Sequence, residues 1–236
     1  IKQLEEVKLL QQQQATKQVT SAITQQLASQ FKQAKARHLF LDYDGTLVPF
    51  ARHPREAIPN NAVIQLLNSL TENPRNQITI ISGRDSNVLD EWFKDIPVTL
   101  VAEHGASIKR ANQNWEHSSD IDQSWKVSVR PILELFTQRS AGSFVEEKKH
   151  TLAWHYRNVD SELGFIRSRE LLDNLYHLIH NANLQIIDGN KVIEVRVAGI
   201  DKGSAARKLL QQSNSQFALA LGDDKTDEDM FRALQG

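Results

Sequence analysis

The sequence predicts an α/β protein, a doubly wound parallel sheet carrying an inserted α+β module. Three observations predict it. Over residues 36–106, short apolar runs alternate with segments of helical period, the β-α-β-α-β order of a parallel sheet with right-handed crossovers. Each run stops abruptly at Asp, Ser-Gly or Glu-His-Gly, as buried strands do where the chain leaves a sheet. Between residues 107 and 197 the runs become long and alternating, and from 198 the first pattern resumes.

The elements follow in order. Residues 1–35 stand apart, Gln-rich with a run from Gln11 to Gln14 and without Gly or Pro. There Val19, Ala22, Ile23, Leu27 and Phe31 recur at three- and four-residue spacing, which predicts an amphipathic helix, packed on the domain or serving as a linker. Its heptads are too irregular to favour a coiled coil. Strand one is the run ending at Asp42. Residues 61–72 (NAVIQLLNSLTE) form a helix pattern with Asn60 or Asn61 as cap. Residues 77–81 (QITII) are a second strand, closed by Ser82-Gly83-Arg84, and Asp85 can cap the helix that runs through Lys94. Residues 98–102 (VTLVA) are the third, ending in Glu103-His104-Gly105.

The inserted module, residues 107–197, has helical patterns at about 122–137 and 162–182 and strand-like stretches at 143–156 and 184–197. Asp188-Gly189-Asn190 is a hairpin turn signal, and residues 192–197 alternate as in a sheet with one wet face. Ile200-Asp201-Lys202-Gly203 then opens a helix through Leu210, residues 217–221 (FALAL) are a fourth buried strand, and a last helix starts near Asp227. The core is thus expected over 36–106 and 198–236. A doubly wound sheet usually has another strand after such a helix, so the chain is expected to end before its domain does. It starts at Ile1 rather than Met, so the natural N-terminus is expected upstream.

Composition narrows the function classes. With 236 residues, 40% of them hydrophobic, the chain can bury a sizeable core. Lys and Arg number 28 against 29 Asp and Glu, and this near-neutral balance gives no footprint for a polyanion such as DNA. The absence of Cys excludes disulfides, thiolate metal sites and Cys nucleophiles, and agrees with a cytoplasmic location. No apolar run approaches the roughly 20 residues of a membrane helix, and no signal peptide is visible.

Chemistry concentrates where strands end. In the run from His38 to Leu47 (HLFLDYDGTL), two carboxylates one residue apart follow a buried strand, at the end where open α/β sheets bind ligands. They can hold a divalent cation and leave one oxygen free to attack phosphorus. An Asp-Gly turn is the ordinary explanation of such a pair. The run resembles the DxDGT motif of the haloacid dehalogenase-like (HAD) phosphohydrolases, which implies a Rossmann-type core with Asp42 as nucleophile and Asp44 as general acid/base. Ser82 matches that family's second motif; its hydroxyl and neighbouring N–H groups can hold phosphate oxygens, although a plain Ser-Gly turn explains it equally. Lys202 falls where the family places a Lys that balances the charge on nucleophile and phosphate; alone it would be a solvated surface residue. Asp223, Asp224 and Asp227 crowd after the fourth strand and repel one another unless solvated or holding a cation. Mg²⁺ is the default for a phosphate site, with Asp42, Asp44, Asp223 and Asp224 as its expected ligands.

The wording of the motifs goes further. DYDGTL, ISGR, AEHG and GDDKTDEDMF together are similar to the trehalose-6-phosphate phosphatase family, from about Leu39 to Met230. Residues 144–149 and 152–157 match its ExK and WHYR segment. The resemblance implies that residues 107–197 are a cap that closes over the site and reads the disaccharide. Glu146 and Lys148 match the ExK positions and would bond sugar hydroxyls, with Glu194 a similar candidate. Arg84, Glu103 and His104 would line the site from the core side. Without the family, a solvated strand face explains the cap carboxylates, and His155, between Trp154 and Tyr156, reads as a packed sheet histidine. The implied activity is Mg²⁺-dependent hydrolysis of trehalose 6-phosphate through an aspartyl-phosphate, and the implied partner is a trehalose-6-phosphate synthase domain, whose junction the N-terminal segment fits. Competing readings are a phosphatase for another sugar phosphate such as sucrose phosphate, a phosphotransferase on the same fold, and a catalytically inactive regulatory domain of a synthase. The intact Asp42, Asp44, Lys202 and Asp223 argue against the last.

Overall fold

The computed structural model describes residues 18–51, 53–117, 122–180 and 182–235. Contacts divide the chain into two units, residues 1–35 and 36–236. In the first, the expected apolar spacing forms helix α1 (Ser21–Gln33), capped by the Thr20 hydroxyl, which accepts from the Ile23 amide at 3.3 Å. None of its residues is buried. The Gln11 to Gln14 run lies outside the described residues.

The second unit holds two sheets. The first contains strands β1 (Arg37–Asp42), β2 (Asn76–Ile81), β3 (Thr99–Ala102), β4 (Ser107–Lys109), β5 (Trp115–His117) and, late in the chain, β10 (Phe217–Leu221). Their spatial order is β10-β1-β2-β3-β4-β5, with the first four parallel. β1 is buried along its whole length because it pairs on both sides and is covered on both faces. The chain leaves β1 for β2 on one side and returns as β10 on the other, so the strand order switches at the C-terminal end of β1, where Asp42 sits.

Helices α2 (Asn61–Thr71) and α3 (Ser86–Phe93) connect the parallel strands. They start where the sequence predicts: Asn60 Oδ1 accepts from the Val63 amide at 3.0 Å and Asp85 Oδ1 from the Asn87 amide at 2.8 Å. Helices α6 (Lys202–Gln211) and α7 (Asp227–Ala233) flank β10. Phe40, Ile81, Val101, Ala206, Leu209 and Met230 form one core between sheet and helices. Full burial of each large side chain stabilises by about 1.5–3 kcal/mol.

The second sheet is antiparallel, β6 (Phe144–Glu147), β7 (Thr151–His155), β8 (Leu184–Gly189) and β9 (Val192–Val197) in the order β6-β7-β9-β8. Helices α4 (Trp125–Gln138) and α5 (Ser161–Ile179) pack on one face of it. Leu152, Trp154, Ile193 and Val195 point into that layer to meet Leu133, Phe136, Leu171 and Leu175. By the two-residue period of a strand, Glu146, His155 and Glu194 point the other way. Among the described residues no helix is long and apolar enough to cross a membrane.

Two boundaries differ from expectation. Residues 107–117 are expected in the inserted module, but β4 pairs antiparallel with the edge of β3 and β5 with β4, so both extend the first sheet. The long stretch 143–156 is a hairpin, broken at 148–150. The helices expected at about 122–137 and 162–182 begin or end within three residues of those limits.

Candidate active site

The end of β1 delivers Asp42 into a closed set of charges. Asp42 is 3% exposed. Lys202, the first residue of α6, bridges it to Asp227: Nζ lies 2.6 Å from Asp42 Oδ1 and 2.7 Å from Asp227 Oδ1. Asp201 places that lysine by capping α6, its Oδ1 accepting from the Ser204 amide at 2.7 Å. Asp227, in the first turn of α7, turns its other oxygen back to the strand-end loop and accepts from the amides of Asp223 (3.1 Å) and Asp224 (3.2 Å). Burial pushes the Asp42 carboxyl up to about 7, against the opposing pull of Lys202. Burial would lower the Lys202 ammonium, but Asp42 and Asp227 outweigh it and hold the group above its ordinary value.

Asp42 Oδ2 is buried and has no hydrogen-bond partner. Carboxylate oxygens of Asp42, Asp223 and Asp227 lie within 4.8 Å of one another, a donor set suited to a hard oxygen-seeking cation. Burial, with Asp224 and Asp227 nearby, raises the Asp223 carboxyl. Gly45 makes this convergence fit. Its φ of +91° is a left-handed conformation, and a Cβ there would run into the Asp223 carboxylate.

The gathered acids differ from the set expected from sequence. Asp227 replaces Asp44 and Asp224 in the side-chain cluster. Asp224 turns its Oδ1 to Thr226, accepting from the amide (2.8 Å) and the hydroxyl (2.6 Å), while Asp44 is held by Arg84. Asp227→Ala should show the weight of this carboxylate. It strips Lys202 of one of two buried carboxylates and two amides of their acceptor, and is expected to cost about 3–5 kcal/mol in urea unfolding. A loss under about 1 kcal/mol would mean that Asp42 alone satisfies the lysine.

Arg84 follows β2 and grips Asp44 with a two-pronged contact, Nε at 2.9 Å and a terminal nitrogen at 2.5 Å. Its guanidinium lies over the rings of Trp92 (5.0 Å) and Tyr43 (5.5 Å), which fix the fork. Ser82 is buried at the end of β2, its Oγ accepting from the Arg84 amide at 3.2 Å. Glu103 and His104 follow β3 with φ of 46° and 58°, a region that non-glycine residues seldom adopt.

A cleft of about 440 Å³ separates these strand ends from the second sheet, a volume within the range of small-molecule sites. Asp42, Asp44, Arg84, His104 and Lys202 line one wall, and Glu146, Lys148 and Glu194 the other. Burial would raise Glu146, but the His155 hydrogen bond and Lys148 hold it down to about 2. Burial would lower Lys148, but Glu194, Glu146 and Glu103 together keep it above its usual value. Glu194 Oε2 and His104 Nε2 are 3.2 Å apart. Burial pushes His104 down, and His104 with Lys148 and Arg196 keeps Glu194 ionised against its own burial.

Glu103 departs from expectation, being absent from the cleft wall. Its Oε2 accepts from the His150 amide at 2.6 Å, tying the first sheet's loop to the 148–150 turn, while burial raises its carboxyl. Lys148 makes a second tie, donating to the Gly83 carbonyl at 2.9 Å. Asp227 and His155 are among the residues to which sequence reasoning gave no contact with metal or substrate. Asp227 was legible only as one of a dense acidic run. His155 gave no signal beyond its position among aromatic neighbours, yet it lines the cleft.

A sequence profile of the trehalose-phosphatase family matches residues 40–236. Similar curated proteins include alpha,alpha-trehalose-phosphate synthase (UDP-forming) B of Dictyostelium discoideum, 41% identical over 218 residues, which are 92% of this chain and 28% of that protein. The bifunctional trehalose-6-phosphate synthase/phosphatase of Thermoproteus tenax is 42% identical over 205 residues, 87% of this chain and 28% of that one. The trehalose-phosphatase of Saccharomyces cerevisiae is 39% identical over 231 residues, 88% and 26%. The chain therefore spans about a quarter of the length of these relatives. Among solved structures, the C-terminal domain of trehalose-6-phosphate phosphatase from C. albicans superposes with a TM-score of 0.86 at 34% identity, covering 89% of this chain and 78% of that one. A haloacid dehalogenase-like hydrolase from B. subtilis, at 0.55 and 16%, covering 83% and 86%, shares the fold alone. With the profile matching most of its length and a solved relative identical at a third of positions, the chain belongs to the trehalose-phosphatase family and has a HAD-like α/β fold.

Proposed function

We propose that the chain is the phosphatase part of a longer protein and hydrolyses trehalose 6-phosphate to trehalose and phosphate through an aspartyl-phosphate on Asp42. The observation that carries this reading is the unpartnered, buried Oδ2 of Asp42 beside Lys202, at the foot of a cleft roofed by ionised polar groups. The relatives that carry synthase names suggest a trehalose-6-phosphate synthase domain elsewhere in the same protein. The sheet β6–β9 with α4 and α5 is read as a cap that recognises the disaccharide through Glu146, Lys148 and Glu194.

In the first step Asp42 Oδ2 forms a bond to phosphorus as the bond to the sugar oxygen breaks, and Asp44 gives that oxygen its proton. Arg84 grips Asp44 at the cleft wall, so proton delivery requires that fork to open. In the second step a water attacks phosphorus, Asp44 takes its proton, and the Asp42–phosphorus bond breaks. Lys202 and the Ser82 hydroxyl answer the negative charge on the phosphoryl oxygens. Asp42, Asp223 and Asp227 would hold Mg²⁺, which when bound neutralises charge on the phosphoryl group.

Phosphate release from trehalose 6-phosphate, assayed with and without Mg²⁺, tests the reading. No release in either condition would refute it. The cation has a pH signature as well. Because the Asp42 carboxyl is raised to about 7, a proton competes with the cation there. Mg²⁺ affinity of EDTA-stripped protein is expected to rise about tenfold per pH unit below pH 7 and level off above it. A pH-independent affinity in calorimetry would remove Asp42 from the ligand set.

A further inference from the structure

His155 ends β7, and its neighbour Trp154 is fully buried under the helices, so strand alternation turns the imidazole to the cleft. There its Nε2 lies 2.8 Å from Glu146 Oε2. Phe144 is paired with His155 across the ladder and stacks on it, ring centroids 4.7 Å apart and planes within 14°. Lys148 Nζ approaches the same Glu146 oxygen at 3.6 Å. Two contacts thus converge on one carboxylate, from His155 and Lys148, and a third braces the first: the Phe144 ring fixes the imidazole, and the imidazole fixes Glu146.

The chemistry assigns the proton. An ionised carboxylate can only accept, so the nitrogen facing it carries hydrogen. Glu146 Oε2 is then occupied, and Oε1 is left to accept from a ligand hydroxyl. Asp42 and Lys202 take the phosphoryl end of the cleft, so a carboxylate on the opposite wall meets the sugar rather than the phosphorus. An acceptor already held in one rotamer has less freedom to lose when the ligand arrives.

We propose that His155 is a positioning residue which, braced by Phe144, donates its Nε2 proton to Glu146 and fixes that carboxylate for hydroxyls of the disaccharide. This rests on the sugar-phosphate reading above and adds to it a residue that acts on binding, not on phosphoryl transfer.

Steady-state kinetics test it. His155→Ala is expected to raise KM for trehalose 6-phosphate about tenfold with kcat within about twofold, and to leave turnover of an aryl phosphate within about twofold. His155→Gln keeps a donor at nearly the same place and should recover most of the lost KM. In a Glu146→Ala background, His155→Ala should add nothing. Equal losses on both substrates, no rescue by Gln at an unchanged melting temperature, or additive effects with Glu146→Ala would each overturn the proposal. Should His155→Ala fail to fold, Phe144→Leu carries the test, with a severalfold rise in KM expected and an unchanged KM overturning. A wild-type protein that cleaves the aryl phosphate but not trehalose 6-phosphate refutes the substrate reading instead. The hydrogen bond is then decided without substrate: a slowly exchanging His155 Nε2–H resonance, lost in Glu146→Ala, supports the pairing, and its absence in the wild type overturns it.

Discussion

Asp42→Asn is expected to lower phosphate release by about 10⁵-fold or more, the scale of removing a nucleophile. The amide keeps the shape at the end of β1 but has no charge with which to attack phosphorus. Lys202 retains Asp227, so the fold should survive. Stability should even shift in a defined sense. In cation-free protein burial raises the Asp42 carboxyl from 3.8 to about 7, so folding favours its neutral form. That preference erodes stability as pH rises through this window, fully so above it. The amide does not titrate. Cation-free variant should therefore lose less stability than wild type on going from about pH 5 to pH 8. Activity near the wild-type level in purified Asp42→Asn would end the aspartyl-phosphate mechanism.

Asp44→Asn should fail differently. The nucleophile remains but the sugar oxygen gets no proton, and an unprotonated sugar alkoxide leaves badly. Loss on trehalose 6-phosphate is expected to be about 10²–10⁴-fold. An aryl phosphate has an acidic leaving group, so its first step should be nearly spared, visible as an intact burst of phenol in rapid mixing. Arg84 stays anchored over Trp92 and Tyr43 in the variant, which keeps the cleft wall in place. If burst rates for both substrates fall alike, the acid is another group.

The parts legible in sequence are those whose signal is local. β1, β2, β3 and β10 are short apolar runs with abrupt polar ends, and Asn60, Asp85 and Asp201 announce the helices they cap. β4 and β5 are three residues each and include Lys109, Glu116 and His117; no period can show in so short and charged a segment, and only pairing makes them strands, β4 on the open edge of β3 and β5 on β4. The 148–150 turn lacks Gly, Pro and Asn. It is set by distant groups, with Lys126 Nζ donating to the Lys148 (2.7 Å) and Lys149 (2.9 Å) carbonyls and Glu103 accepting from His150. The candidate site divides the same way. Asp42 and Lys202 stand at element ends, where position marks them. Among Asp223, Asp224 and Asp227, spelling alone does not decide which acid turns inward. The amides waiting at the strand-end loop decide it, by drawing Asp227 back from the first turn of α7.

The 148–150 turn also makes the second sheet poor material for domain shuffling. A chimera cut where the chain passes between the sheets would carry Lys148 and His150 into a foreign core. Unless that core presents a carbonyl in place of Gly83 and a carboxylate in place of Glu103, the half-buried Lys148 ammonium loses its carbonyl acceptor and the buried His150 amide its carboxylate, at about 1–3 kcal/mol each. The heritable block is therefore larger than the sheet it contains. Recombination libraries of relatives should keep functional breakpoints outside residues 83–197, so that the loops carrying Gly83 and Glu103 travel together with the turn that they hold.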